Sequence, residues 1–254
     1  MPTTTALSVQ LFQATSALAA HPQVTVTVPS GYKIVGGGAV DNWGDGAGNL
    51  LTAAYPQGPN TWFAAGKDHE VSSPATLTGY ALAIHDPHNE WDVTIQSSTS
   101  GPDAHPTAVA TLPQGYVLTG GGAFVDWTGA GNLLTASFPN AALSWEASSK
   151  DHDISDPAAI TAYVIGIRHR AGTVRLAQTV IQVTGANQQH PTATACLGAE
   201  WTLCGGGAVD NWDGDGNLLT ATYPEGSCWT AAGKDQIHAS PATITAYAIG
   251  LRVI

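Results

Sequence analysis

The sequence predicts an all-β fold with pseudo-three-fold symmetry, and three observations support this prediction. One long segment occurs three times, at residues 31–84, 115–167 and 200–251. Runs rich in Val, Thr, Ile and Tyr alternate with turn residues, and no run keeps the 3.6-residue period of a helix. The 29 glycines and 15 prolines are typical of an all-β chain with many tight turns.

The repeat extends beyond these three segments. A His-Pro pair precedes each of them, at His21, His105 and His190, and an apolar-polar run precedes each pair. Three units of this kind fill the chain without a linker, so we expect residues 1–254 to form one domain. The predicted units are residues 5–89, 90–174 and 175–254.

Each unit is expected to contain about five or six strands. In the first unit the expected strands are, in chain order, the runs at 7–16, 24–28, 31–43, 49–56, 61–68 and 75–84. The third run contains Gly36, Gly37 and Gly38 in succession. Three glycines inside a strand indicate a bulge or a close backbone approach, because a residue with a Cβ tolerates neither cheaply.

Three such units around one axis resemble the plan of the β-prism proteins, among them the jacalin-like lectins and the vitelline membrane outer layer protein. The resemblance lies in the number of repeats and in the strand content. It implies three sheets around a common axis. A three-bladed, propeller-like arrangement or a solenoid is the alternative for the same repeats.

Composition and charge exclude several classes of partner. Hydrophobic residues make up 43% of the chain and charged ones only 11%, which is typical of a compact globular protein. The net charge is −11 because Lys and Arg number only 8. Nucleic acids and anionic membrane surfaces need a basic footprint, so we expect neither as a partner.

The sequence also lacks the usual targeting signals. No run of 18 apolar residues predicts a membrane span. The first 20 residues have no basic region and already belong to the repeat, so we do not expect a removable signal peptide. The compartment and the oligomeric state stay open. All three cysteines lie in the third unit, which excludes a disulfide common to the repeats but leaves one optional bridge open.

Aligning the copies reveals several equivalent polar and aromatic positions. One tryptophan set is Trp43, Trp127 and Trp212, and a second is Trp62, Trp145 and Trp229. The first set is preceded by Asn42, Asp126 or Asn211 and followed by Asn49, Asn132 or Asn217. Large aromatic residues at repeated positions often pack in a core, so we expect at least one tryptophan set to be internal.

The most specific signal is a repeated Lys-Asp pair. The chain has four lysines, and three of them occupy one repeat position, each followed by aspartate. These pairs are Lys67-Asp68, Lys150-Asp151 and Lys234-Asp235. One interpretation is structural, with Lys and Asp bridging strands or Asp capping the turn that follows. The other interpretation is a ligand site in each unit.

In the second interpretation each unit binds a sugar. Asp, Asn and Lys hydrogen-bond hydroxyl groups, and a tryptophan covers the apolar side of the ring. We therefore predict a lectin-like, carbohydrate-binding protein with up to three equivalent sites for neutral glycans. The predicted binding residues are Asn42, Trp43, Asn49, Lys67 and Asp68 in the first unit, Asp126, Trp127, Asn132, Lys150 and Asp151 in the second, and Asn211, Trp212, Asn217, Lys234 and Asp235 in the third.

Metal and cofactor sites are not predicted. The loop 210–217 resembles an acidic calcium loop, but its counterpart 125–132 has lost the acids equivalent to Asp210, Asp213 and Asp215, so we interpret these loops as solvated turns. The His-Pro histidines are interpreted as marking a turn before a strand, and no zinc-binding spacing occurs.

An enzyme is not expected either. No Ser or Cys recurs together with a histidine in all three units, and Gln236 replaces the histidine that follows Lys-Asp in the other two. An active site on the axis is left open. The alternative to a lectin is an insecticidal or defence toxin, or an interaction scaffold, that docks on a host surface without catalysis.

Overall fold

The protein is all-β, as the sequence predicts. The computed structural model describes residues 7–44 and 46–254, which leaves the start of the first predicted unit outside the described residues. The first repeat forms β1 to β6, at Val9–Thr15, Gln23–Thr27, Tyr32–Asn42, Asn49–Gly58, Thr61–Asp68 and Thr76–His85. The second forms β7 to β12, at Trp91–Thr99, Thr107–Thr111, Val117–Asp126, Asn132–Ala141, Ser144–Asp151 and Ala159–His169. The third forms β13 to β18, at Leu176–Thr184, Thr192–Cys196, Thr202–Asn211, Asn217–Glu225, Cys228–Asp235 and Thr243–Val253.

The strands form three antiparallel, six-stranded sheets with three-fold organisation. Their strand orders are β1-β6-β3-β16-β17-β14, β2-β5-β4-β9-β12-β7 and β13-β18-β15-β10-β11-β8. Each repeat therefore gives three strands to one sheet and three to another, and every sheet is shared by two repeats. This arrangement is compatible with the β-prism plan.

The exchange of strands closes the structure on itself. The first repeat shares a sheet with the second, the second with the third, and the third with the first. Each shared sheet is joined at its centre through only two residue pairs, for example Ala39 with Thr222 and Val40 with Ala221. The joining strands β3, β9 and β15 are those that carry the three glycines.

The glycine triplets allow these joining strands to approach one another on the axis. A Cβ at Gly120 would lie 2.7 Å from the Val35 oxygen and 2.9 Å from the Gly36 Cα. A Cβ at Gly36 would similarly lie 2.9 Å from the Gly205 Cα, and one at Gly205 would lie 3.0 Å from the Gly120 Cα. A real Cβ does not fit at these distances, so glycine is required where the three backbones meet. Each triplet also follows a register shift, which confirms both the expected bulge and the expected close approach.

The hydrophobic core is common to the three repeats. One cluster of buried side chains includes residues from all of them, and a second cluster consists only of the equivalent residues Leu50, Leu133 and Leu218. Mutual contact between three equivalent side chains places them around the axis. The tryptophans Trp62, Trp145 and Trp229 are fully buried, which confirms that one tryptophan set is internal.

Polar partners inside the core differ between the repeats. The Trp145 indole N–H donates to the Ser137 hydroxyl (2.9 Å), and the Trp229 N–H donates to Thr222 (2.8 Å). The equivalent of these hydroxyl residues in the first repeat is Ala54, and within the described residues the Trp62 N–H has no acceptor. The first repeat thus carries an unsatisfied buried donor that the others avoid.

The third repeat carries a bridge that the others lack. Cys196 and Cys228 form a disulfide between the paired strands β14 and β17. The first repeat has Thr27 opposite Thr61 at these positions. A bridge that closes a loop of this length stabilises the folded state by about 3–4 kcal/mol in the chain-entropy model.

The close packing of the triplets predicts the effect of adding one methyl group. A Cβ at Gly121 would overlap the Trp145 ring and the Tyr163 carbonyl oxygen, whereas one at Gly101 would meet no atom within 4 Å. We expect Gly121→Ala to lower the free energy of unfolding by about 3 kcal/mol or more, and Gly101→Ala to change it by less than about 0.5 kcal/mol. Urea denaturation of both variants checks this, and equal stability of the two would contradict the packing described.

Candidate functional site

The repeated lysines connect neighbouring repeats. The Lys67 ammonium donates to the carbonyl of Ala130 in the second repeat, and that of Lys150 donates to the carbonyl of Asp215 in the third. Lys234 closes the circle by donating to the carbonyl of Ala47 in the first repeat. All three lysines are only 3–4% exposed. They therefore hold the loops of the next repeat rather than facing solvent.

Each lysine also lies over a tryptophan of the next repeat. The ammonium is 4.8 Å from the ring centre of Trp127 for Lys67, 5.1 Å from that of Trp212 for Lys150, and 5.0 Å from that of Trp43 for Lys234. These distances are those of cation–π interactions. Burial lowers the pKa of each lysine, and it lowers that of Lys234 to about 8. Carbonyl oxygens and the aromatic face replace part of the hydration that each ammonium loses.

A histidine and an aspartate complete each junction between repeats. In the first junction the His21 ring lies edge-on to Trp127, with the ring centres 5.3 Å apart, and its Nε2 is 3.4 Å from the Asp68 carboxylate. The second junction combines Trp212, His105 and Asp151, and the third combines Trp43, His190 and Asp235. The ring distances are 5.3 and 5.4 Å and the His–Asp distances are 3.4 and 3.5 Å. We call these three groups the junction clusters.

Within each junction cluster the three residues differ in their exposure to solvent. The histidine side chains are 52–56% exposed and the aspartate side chains 11–15%, and the tryptophans are half-buried. The Asp68 carboxylate also accepts a hydrogen bond from the Ser73 amide (3.2 Å), as Asp235 does from Ser240. Asp68 and Asp235 thus cap the following turn, as the structural interpretation of the Lys-Asp pair proposes.

The three junction clusters surround a ring of hydrogen bonds. His69 contacts the carbonyl of His152 (2.8 Å), His152 that of Gln236 (2.8 Å), and the Gln236 amide donates to the His69 carbonyl (3.1 Å). All three side chains are buried, and burial lowers the pKa of His69. We call this closed circuit the axial ring.

Strained turns follow the axial ring. Glu70, Asp153 and Ile237 have φ of 58°, 56° and 64°, in the left-handed region that β-branched residues such as Ile adopt rarely. In each turn the amide of the following residue donates to the carbonyl of the preceding one at 2.6 Å, which is the hydrogen bond of a γ-turn. The turns leave Val71, Ile154 and Ile237 about half-exposed.

The predicted asparagines lie outside the junction clusters. Asn42 and Asn211 are exposed and donate to threonine hydroxyls on the neighbouring strand, at 3.0–3.2 Å, and Asp126 is exposed at the equivalent position. The second asparagine set is fully buried. Each of its members donates to a carbonyl of the segment around the His-Pro pair, at 2.7–2.9 Å. These members are Asn49, Asn132 and Asn217.

Two equivalent acids near the ends of β3 and β15, Asp41 and Asp210, are buried. Burial raises the pKa of both Asp41 and Asp210 to about 8. Within the described residues the Asp41 oxygens and the Asn49 side-chain oxygen find no hydrogen-bond donor. A Cβ at Gly66 would lie 2.6 Å from both residues, and the middle repeat has Val125 and Ser149 in place of Asp41 and Gly66. A protonated carboxyl can donate a hydrogen bond, whereas a carboxylate only accepts.

The resemblance of loop 210–217 to a calcium loop does not extend to its geometry. Asp210 is buried, whereas Asp213 and Asp215 are exposed. In the described part of the chain, no group of three or more His, Cys, Asp or Glu side chains is placed to hold a metal ion. The equivalent loop of the first unit is 41–49, and one of its acids, Asp45, lies outside the described residues.

The structure therefore divides the predicted site residues differently from the sequence analysis. It brings each Lys-Asp pair together with a tryptophan, but with the tryptophan of the next repeat rather than of its own. It adds the His-Pro histidines, which precede β2, β8 and β14 as expected and also contact the tryptophans. Their recurrence in register with Lys-Asp was the signal for this role. The buried asparagines and the lysines serve packing between segments.

Comparison with known proteins adds no relative. No protein-family model matches the chain, and no curated protein matches its sequence. Residues 7–44 and 46–254 contain no helix that is both long and apolar enough to cross a membrane.

The buried acids predict how stability changes with pH. The folded pKa of about 8 for Asp41 and Asp210 lies above the ordinary value, so only the folded state keeps these protons between about pH 4 and pH 8. Their contribution to stability is therefore complete at low pH and is lost as the pH rises towards 8, by up to about 1.4 kcal/mol per pH unit for each acid.

Urea denaturation at pH 5 and pH 8 checks this linkage. We expect the native protein to lose more stability between these pH values than the double variant Asp41→Asn/Asp210→Asn, whose amides do not titrate. The histidines and lysines titrate in both proteins, so their contribution cancels when the two losses of stability are compared. Identical losses in the two proteins would show that the acids are ionised in the folded state.

Proposed function

We propose that the protein binds carbohydrate at up to three equivalent sites, one at each junction cluster. The observation that carries this proposal is the recurrence of the half-buried Trp, half-exposed His and partly exposed Asp with the same spacing in all three junctions. The buried lysines and asparagines join segments of the chain, and Asp68 and Asp235 cap turns, so these residues have structural roles. The exposed histidine is the member of each cluster that packing does not require.

The chemistry of a junction cluster suits a sugar. The half-buried tryptophan offers aromatic surface to the C–H groups of a ring. The histidine nitrogens and the aspartate oxygens can donate to and accept from neighbouring hydroxyl groups. A neutral glycan also avoids the repulsion that an anion would meet from a chain of net charge −11.

The arrangement of the clusters favours binding to a multivalent surface. All three surround the axial ring, because each Lys-Asp pair directly precedes a ring residue. They therefore belong to one end of the molecule. Sites that are individually weak gain avidity when one surface engages several of them at once.

A docking scaffold or toxin is the second candidate function. It is favoured by the half-exposed Val71, Ile154 and Ile237, which lie on strained turns around the axial ring. Strained residues persist where the surrounding structure holds them, and they often occur at functional sites. Docking through these aliphatic side chains predicts attachment to a host surface that free monosaccharides do not reduce.

The histidines offer the sharpest test of the glycan sites. We expect the native protein to be captured by at least one neutral glycan on an array. The triple variant His21→Ala/His105→Ala/His190→Ala should lose that capture while its melting temperature stays within a few degrees of the native value, because the three side chains are half-exposed. A lost hydrogen bond weakens each site by about tenfold.

A matched control is His88→Ala, which removes an exposed histidine outside the junction clusters. This variant should bind the glycan as the native protein does. Undiminished binding by the triple variant would exclude the junction clusters as glycan sites. Absence of capture by every neutral glycan would reject the carbohydrate proposal as a whole.

A further inference from the structure

A cleft between the second and third repeats carries an unusual concentration of positive charge. Its volume is about 620 Å³, and three of the four arginines in the chain line it. These are Arg168, Arg170 and Arg175. Strand β9 begins at this cleft, at Val117, and ends beside Trp127 of a junction cluster. The ten residues between them span roughly 30 Å, so the cleft is separate from the proposed glycan sites.

The equivalent place between the first and second repeats is filled by groups that the cleft lacks. There the Lys33 ammonium donates to Asp86 (2.6 Å) and to the Trp91 carbonyl (2.7 Å). The repeat alignment places Val117 at the position of Lys33 and His169 at that of Asp86. By the strand register, Leu176 takes the position of the buried Trp91.

The arginines are only partly neutralised. Arg168 and Arg170 both lie against Asp92, at 2.9 and 3.3 Å, and Arg168 also stacks over Tyr116 at 4.5 Å. The hydrogen bond from the Tyr116 hydroxyl, together with the guanidinium groups, holds the pKa of Asp92 below its ordinary value. Two of the three guanidinium groups thus share one carboxylate side chain. Arg175 is exposed, and within the described residues no carboxylate lies within 4 Å of its guanidinium.

Besides the arginines, the lining contains His169 and several apolar side chains. Val117, Val174 and Leu176 line the cleft between the arginines. Guanidinium groups bind carboxylates, sulfonates and phosphates through paired N–H donors. Apolar walls favour a ligand that buries a hydrocarbon surface at the same time. A fully polar anion would leave these walls without a partner.

We propose that this cleft binds a small organic anion, with its oxyanion group on Arg175 and its apolar body against Val117, Val174 and Leu176. A site of this kind also explains why an acidic chain with so few basic residues places most of its arginines together. The proposal is independent of the glycan sites, because it uses other residues at another end of the molecule.

Isothermal titration calorimetry with naphthalene-1-sulfonate tests the proposal on the full chain. We expect this probe to bind more tightly than either inorganic sulfate, which lacks the apolar body, or 1-naphthol, which lacks the charge. Arg175→Gln should weaken the binding by about tenfold or more. Leu176→Trp, which introduces the side chain of the equivalent residue Trp91, should fill the cleft and abolish binding.

The matched control is Arg252→Gln, which removes the same charge from a guanidinium stacked on Trp201 and outside the cleft lining. It should bind the probe as the native protein does. Equal weakening by Arg175→Gln and Arg252→Gln would show a general charge effect and would overturn the site. Equal affinity for inorganic sulfate, or for 1-naphthol, would overturn the proposed class of ligand.

Discussion

The close approach of three backbones at the pseudo-three-fold axis is the constraint on which the rest of the structure depends. Gly36, Gly120 and Gly205 meet there, at distances that a Cβ would not allow. Each joining strand pairs with its neighbour from another repeat through only two residue pairs, so the sheets cannot be shared unless these strands come together. The neighbouring glycines of each triplet then accommodate the buried tryptophans and the adjoining sheet.

Closure at the axis also determines what the repeated polar residues do. Because every sheet is shared, the loops of one repeat lie beside the strands of another, and Lys150 reaches the Asp215 carbonyl rather than a group of its own repeat. The same closure brings His69, His152 and Gln236 into the axial ring. After these contacts are made, the half-exposed histidine of each junction cluster still has surface that a ligand can contact. One architecture therefore generates three equivalent surfaces without three separate domains.

The sequence predicts the strands well because their signal is local. Alternation and turn residues identify all six strands of a repeat, and the glycine triplet indicates the bulge. The partner of Lys67 could not be predicted, because aligning three copies shows which residues are equivalent but not which copy contacts which. Its acceptor is a backbone carbonyl, which leaves no trace in the sequence. The arginine cleft could not be predicted by aligning the repeats, because it lies where they differ, as at Val117 and Leu176.

A double-mutant cycle tests the central claim, which is that the lysines join neighbouring repeats. Lys150→Met is combined with Trp212→Leu, the tryptophan of the next repeat, and separately with Trp127→Leu, the tryptophan of its own repeat. From urea unfolding, we predict a coupling free energy of about 0.5–2 kcal/mol with Trp212 and additivity within about 0.5 kcal/mol with Trp127. Coupling to Trp127 without coupling to Trp212 would contradict this account, because it would place each Lys-Asp pair with the aromatic residue of its own unit.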